Sequence, residues 1–400
     1  MLDAGKPIPL ERYRTLDAWR GLASLGVVML HAMQTTVPLR FPDLLRNGFY
    51  AVSAWGRLGV PIFFVVSGYC ICGSACAMLG RPDGARAFVR ARFLRIYPPY
   101  LATCLAAAAL AVAAKMMVSH GALSTSHLSD GVALFRNPAF VFSTLTITQR
   151  SFSQPYLIAV FWTLCYEVMF YAVVLLVMLV TRLVGGRVRG MLLILHSISG
   201  ASLLAYIFGR HFPFPFDLWP QFGLGVLAYD LVAGRRWRRL SSAVLIPLTI
   251  IAFLQLPRPA SPATGPENLG IQLAVCLTCA IALKVLHPLD GAMYRSPLFR
   301  PIMWIGLFSY SLYLIHPLVM GAFLQLTRSH PPTAQTFIWH YWAQVLLSIA
   351  VGYVFYCLVE RAQVGRARQS RGALVPPSAP TPANVVVPAF VPADVSPVSS

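Results

Sequence analysis

Charge is what this sequence lacks. Only 11% of its 400 residues are charged and only 13 are acidic. Soluble domains carry about a quarter charged residues, so this chain cannot clothe itself in a water-facing surface. Three further absences narrow the field. The eight cysteines (Cys70, Cys72, Cys76, Cys104, Cys165, Cys276, Cys279 and Cys357) all lie in apolar runs, so no disulfide framework is expected. Cys276-x-x-Cys279 has the spacing of a redox or metal pair, but its flanks read "IQLAVCLTCAIAL" and mark small packing residues. The polar first 15 residues and the lack of an A-x-A site argue against a cleavable signal peptide, so the first apolar run is expected to be a retained span. No internal repeat and no soluble catalytic domain is visible, so any chemistry falls to a membrane bundle.

What is present is apolar length. The chain is 57% hydrophobic, with a mean hydropathy of +0.65. Runs able to cross a bilayer fall at 16–37, 58–79, 97–118, 156–181, 190–208, 214–233, 240–257, 268–288, 301–326 and 337–360. The expected fold is therefore an all-α, polytopic integral membrane bundle of about ten transmembrane helices. The net charge of +19 would suggest nucleic acid in a soluble protein. Here it reads as topology, because Lys and Arg stay on the cytoplasmic side. With both termini cytoplasmic, 23 of the 32 basic residues fall in cytoplasmic segments. The expected organisation is a cytoplasmic segment at 1–15, a membrane domain at 16–361, and a basic, then Pro/Ala/Ser/Val-rich, disordered cytoplasmic tail at 362–400. The long outer loop 119–155 contains "AFVFSTLTITQR", too short to span.

Ionisable residues inside spans are costly and face partners or cavities. Arg20 and His31 lie eleven residues apart in "RTLDAWRGLASLGVVMLHA". That spacing is three helical turns plus about 20°, so they share a face about 16 Å apart along the axis. Asp17 is placed to hold Arg20. In "RARFLRIYPPYL", Arg92 and Arg95 form a fork suited to phosphates, or a positive-inside anchor. "FWTLCYEVMFY" holds Glu167, read as the only acid well inside a span, with Thr163, Phe170 and Tyr171 on its face. A lone buried carboxylate needs pairing, and His31 is the expected partner. "FSYSLYLIHPLV" sets Ser309, Tyr313 and His316 along one stripe, with Pro317 freeing a carbonyl nearby. "FFVVSGY" sets Ser67 and Gly68 where small residues permit close helix packing. His196 is read as structural.

These stretches together resemble the membrane acyltransferase-3 family, whose members include O-acetyltransferases of O-antigen, exopolysaccharide and nodulation-factor sugars. "LDAWRGLASLGVVMLHA", "GVPIFFVVSGYCI", "RFLRIYPPY", "FWTLCYEVMFY" and "YSLYLIHPL" occur in the family's order. The resemblance implies an Arg and a His separated by ten residues (Arg20, His31), an R-x-x-R (Arg92, Arg95) and an aromatic–acid element (Trp162, Glu167). Thr163 stands where the family more often has serine. Some members of the family carry a C-terminal periplasmic esterase-like domain; with a Pro-rich tail in that place, the stand-alone type is the expectation.

On this reading His31, Glu167 and His316 are catalytic, and Arg20, Arg92 and Arg95 bind the donor. Asp17, Ser67, Trp162, Thr163 and Tyr313 support them, and no metal is expected. The donor is cytoplasmic acyl-CoA, acetyl-CoA foremost. The acceptor is a hydroxyl of a cell-surface or lipid-linked glycan, and the setting is a bacterial inner membrane. His31 serves either as general base or as acyl carrier, with Glu167 orienting it. Two competing readings are a proton-coupled transporter or flippase of glycan precursors and a succinyl or longer-acyl transferase on the same scaffold. A metal enzyme built on His31, His316 and Glu167 is a weaker third, since no local ligand spacing supports it.

Overall fold

The structure is a computed structural model describing residues 13–36, 43–119, 134–210, 212–233, 238–254, 268–333 and 336–361. The segment 1–12, most of the outer loop's first half and the tail from 362 lie outside the described residues. Among the described residues the chain is all-helical, with no strand. Its α-helices are α1 (Leu16–Thr36), α2 (Asp43–Ala54), α3 (Gly59–Met78), α4 (Gly84–Ser119), α5 (Pro138–Thr146), α6 (Trp162–Leu183) and α7 (Val188–Ile207). They continue with α8 (Trp219–Val232), α9 (Arg238–Leu254), α10 (Leu269–Leu286), α11 (Asp290–Arg295), α12 (Arg300–Leu307), α13 (Ser309–Leu326) and α14 (Phe337–Phe355).

Each of the ten expected apolar runs holds a helix. Six helical stretches are long and apolar enough to cross a bilayer, and a seventh follows if α12 and α13 form one span bent by 66° at Phe308. α1 is absent from that set because Asp17, Arg20 and His31 dilute its apolar character. α8 is too short, at 14 residues, but is buried from Trp219 through Asp230. It is a core helix sheathed by α3, α7 and α10. The outer surface is apolar in turn: Leu105, Leu176, Leu326, Trp339, Leu346 and Leu358 are all exposed. That arrangement is stable in lipid and not in water.

Polar side chains tie the ends of the bundle. The Asp290 carboxylate accepts from the Arg14 amide, the Thr15 amide and the Thr15 hydroxyl at 2.9, 2.9 and 2.7 Å. It thereby satisfies amides at the start of α1 that the helix itself cannot. Gln344 of α14 donates to Thr36 and accepts from Thr35 at the other end of α1, both at 2.7 Å. α10 begins on Asn268, whose side chain accepts from the Gly270 amide at 2.7 Å.

Glycines set the closest crossings. A Cβ on Gly68 of α3 would overlap the carbonyl oxygen of Phe222, and one on Gly225 of α8 would overlap that of Val65. The contact is reciprocal, so neither helix can retreat without parting from the other. Gly190 of α7, by contrast, faces open space. Overpacking a tight contact costs about 1–3 kcal/mol or more. Gly225→Ala is expected to lower the thermal midpoint of the detergent-solubilised protein, while Gly190→Ala leaves it near wild type. Equal midpoints for the two variants would show that the α3–α8 crossing is looser than described.

Candidate active site

Two cavities enter the centre of the bundle. The first encloses about 730 Å³, and its walls include Arg20, Ser67, Cys70, Arg92, Arg95, Thr163, Glu167, Tyr171 and Tyr313. The second encloses about 1070 Å³, and its walls include His31, Gln34, Arg57, Trp162, Gln221, Gln272 and Tyr313. Two residues, Val60 and Tyr313, belong to both walls.

The arginine chamber collects residues from α1, α3, α4, α6 and α13. Arg20 is held by Asp17 at 3.0 Å, as its spacing predicts, and donates to the Cys70 sulfur at 3.2 Å. Arg92 donates to Ser74 and lies 5.7 Å from the Phe88 ring centre and 5.9 Å from that of Tyr171. Arg95, one turn on, has an accessible side chain that faces the cavity inside the protein. Three guanidiniums around one space form an anion site, since each offers planar donors that match phosphate oxygens. The stretch "VVSGYCI" thus does three things: Ser67 reaches Glu167, Gly68 admits α8, and Cys70 meets Arg20.

Glu167 requires a correction. The structure does not pair it with His31. It accepts from the Ser67 hydroxyl at 3.1 Å and from the Tyr171 hydroxyl, and it stands in the arginine chamber. Hydroxyl donors and nearby guanidiniums stabilise the carboxylate there. Nor is it the sole buried acid. Asp230 is fully buried 3.4 Å from His196, and Glu360 accepts from Ser311 at 2.6 Å.

The partner of His31 is His316. Nδ1 of His31 lies 2.9 Å from Nε2 of His316, with the rings stacked 5.0 Å apart. Nδ1 of His316 lies 3.1 Å from the Leu312 carbonyl oxygen. A carbonyl only accepts, so His316 must carry its proton on Nδ1. In the neutral ring Nε2 is then a bare acceptor. His31 must therefore donate from Nδ1, which leaves its own Nε2 with a free lone pair. His31 lines the second chamber, and His316, fully buried behind it, lines neither. The arrangement is that of a base oriented by a second group.

The remaining candidates are split between the chambers. Trp162 lines the His31 chamber, and Thr163 the arginine chamber. The Thr163 hydroxyl donates to the Val160 carbonyl at 3.0 Å and meets the Tyr313 hydroxyl at 3.0 Å. A serine would supply the same hydroxyl. Arg57, Gln34, Gln221 and Gln272 were missed. The signal for the glutamines was modest: single amides in otherwise apolar runs, the membrane equivalent of a misplaced polar group. Among the described residues no group of His, Cys, Asp and Glu could hold a metal ion, and all eight cysteines are free thiols.

A family model described as "Acyltransferase domain", for acyltransferase-3, matches residues 13–357. The chain belongs to this family. The acyltransferase-3 match spans every residue of both chambers. The chain is also 27% identical over 374 residues to the "Putative membrane-bound transacylase BcsY" of Komagataeibacter xylinus, covering 88% of this chain and 83% of that protein. No solved structure matches. With its apolar helices, the family assignment makes the chain a multi-pass membrane acyltransferase.

If His316 fixes the proton on His31, His316→Ala should lower kcat for acyl transfer by about 100-fold or more, as loss of an orienting partner does in a triad. Donor affinity should change little, because His316 is not among the residues that line the arginine chamber. Retention of wild-type kcat in His316→Ala would remove the pair from the mechanism.

Proposed function

We propose that this acyltransferase moves an acyl group, acetyl foremost, from cytoplasmic acyl-CoA to a hydroxyl of a cell-surface or lipid-linked glycan. On this proposal it works in a bacterial inner membrane, with ten spans and both termini cytoplasmic. The observation that carries the reading is the chain from the Leu312 carbonyl through His316 to His31, ending in a free lone pair one wall away from three arginines. The basic bias supports placing the arginine chamber on the cytoplasmic side, where acyl-CoA is found.

The donor's phosphates would meet Arg20, Arg92 and Arg95. Its slender arm would reach past Tyr313 toward His31. As general base, His31 Nε2 takes the acceptor's hydroxyl proton while the oxygen attacks the thioester carbon. The C–S bond then breaks, and the thiolate leaves with that proton. As carrier, Nε2 attacks the carbon first and releases the thiolate; in a second step the hydroxyl oxygen displaces the imidazole, whose freed Nε2 takes the hydroxyl proton and passes it to the thiolate. In both cases Nδ1–H bonded to His316 stabilises the charge that develops on His31.

The His31 chamber supports a polyhydroxylated acceptor. No carboxylate lines it, and its polar wall is built from Gln34, Gln221, Gln272 and Arg57 beside the Trp162 ring. Gln221 donates to Gln272 at 2.9 Å, while its buried Oε1 has no partner. An orphaned acceptor of this kind costs about 1–3 kcal/mol until a donor such as a sugar hydroxyl meets it.

His31→Ala should abolish acyl modification of surface glycans, read by mass spectrometry, while the protein still inserts and binds acyl-CoA. Loss of a general base costs about 10²–10⁴-fold, and loss of a covalent carrier costs more. His31→Gln retains a donor and an acceptor but not a proton-accepting ring nitrogen. Near-full glycan modification by His31→Gln would reduce His31 to a packing residue and sink the mechanism.

The arginines are tested separately. Arg92→Ala or Arg95→Ala should raise the KM for acyl-CoA more than that for the acceptor, since a lost charge-assisted hydrogen bond to phosphate costs about 1.5–3 kcal/mol. Arg→Lys should rescue only in part, since an ammonium lacks the fork. Wild-type acyl-CoA binding by both alanine variants would leave these arginines as topological anchors.

A further inference from the structure

Val60 and Tyr313 are the two residues that line both chambers, so they stand where the two adjoin. Tyr313 is clamped from several sides. Its hydroxyl lies 3.0 Å from the Thr163 hydroxyl and donates to the Val160 carbonyl at 3.3 Å. The Phe63 ring packs edge-on against it, with centroids 5.8 Å apart. The His316 ring lies on it at 5.9 Å. Val60 is β-branched and sits in the first turn of α3, where few rotamers are open to it. Tyr313 cannot yield far without breaking these contacts.

Resting on the donor reading above, we propose that Val60 and Tyr313 are the specificity-determining pair for the acyl group, admitting short acyl chains to His31 and refusing long ones. The donor head stays with the arginines, so only the thioester and its acyl chain must pass the wall. A longer chain adds methylenes that must lie between the Val60 methyls and the phenol ring. Each methylene a rigid passage handles wrongly changes selectivity by about tenfold or more. The hydroxyl clamp is what keeps the passage rigid. Thr163 is thereby assigned a positioning role: it acts on acyl size through Tyr313 and not through the donor's phosphates.

The test uses inverted membrane vesicles carrying the full chain and its own acceptor. They are supplied from outside with radiolabelled acetyl-, butanoyl- or octanoyl-CoA, and label is counted in the glycan fraction. The readout is the ratio between donors in one preparation, which does not depend on how much protein folds. Wild type should favour acetyl over octanoyl by at least about tenfold. Val60→Ala, which widens the passage, and Tyr313→Phe, which loses the clamp, should each raise the octanoyl-to-acetyl ratio by at least about tenfold. Val60→Phe should lower the butanoyl-to-acetyl ratio, and Thr163→Ser, which keeps the hydroxyl, should retain the wild-type profile. Equal use of octanoyl and acetyl by wild type, or a ratio that does not move across the wall variants, would overturn the inference and leave the donor reading intact. No labelling by wild type from any acyl-CoA would overturn the donor reading and the inference with it.

Discussion

One main-chain carbonyl, that of Leu312, sets the direction of the protons in the site. It can only accept, so His316 presents Nδ1–H to it at 3.1 Å and a bare Nε2 to His31. His31 answers with Nδ1–H, and its free nitrogen faces the cavity. This is the task that a buried carboxylate performs beside a catalytic histidine elsewhere. Here a neutral imidazole does it, without adding a second charge to an interior where charge is costly. Pro317 sits directly after His316 and lacks the amide that would bond the Tyr313 carbonyl, which loosens the regular ladder just where these side chains gather.

The charges that the site does use are each given partners before a substrate arrives. Arg20 has Asp17 and the Cys70 sulfur, Arg92 has Ser74 and two aromatic faces, and Glu167 has two hydroxyls. Arg95 alone of the three arginines projects its side chain openly into the chamber. Holding so many polar groups in one bundle needs helices that approach closely and do not slide. The Gly68–Gly225 crossing and the Asp290 clamp on the start of α1 supply that rigidity.

Much of this was legible in the sequence, because a membrane chain makes its polar residues conspicuous. The shared face of Arg20 and His31, the Asp17 partner, the arginine fork and the Ser309–Tyr313–His316 stripe all follow from helical spacing. The family resemblance, carried by five short stretches, agrees with the match over 13–357. Partnership between helices was not legible. Period and spacing place residues on a face but do not say which faces meet, so Glu167 was assigned to His31 when the packing of α3 on α6 gives it to Ser67. The second chamber was invisible for the same reason. Gln34, Arg57, Gln221 and Gln272 come from four separate elements and converge only in the fold. α8 reads from its apolarity like any other run, and that its 14 residues are surrounded by protein shows only in the fold, since composition alone does not tell lipid from protein as surroundings.

The divided interior answers a problem that any acyltransferase working across a membrane must solve. On the proposed orientation the donor is charged, soluble and confined to one side, while the acceptor lies on the other. A continuous water-filled passage joining them would also conduct protons and small ions. Two chambers that share Val60 and Tyr313, in place of one continuous channel, are suited to avoid this. The acyl group is the smallest and least polar part of the donor, so it is the part that can cross a wall made of a valine and a tyrosine at the least cost. On that proposal the arginines hold back the part that must not cross. The imidazole beyond the wall needs its lone pair on the far side, and the Leu312 carbonyl is what puts it there.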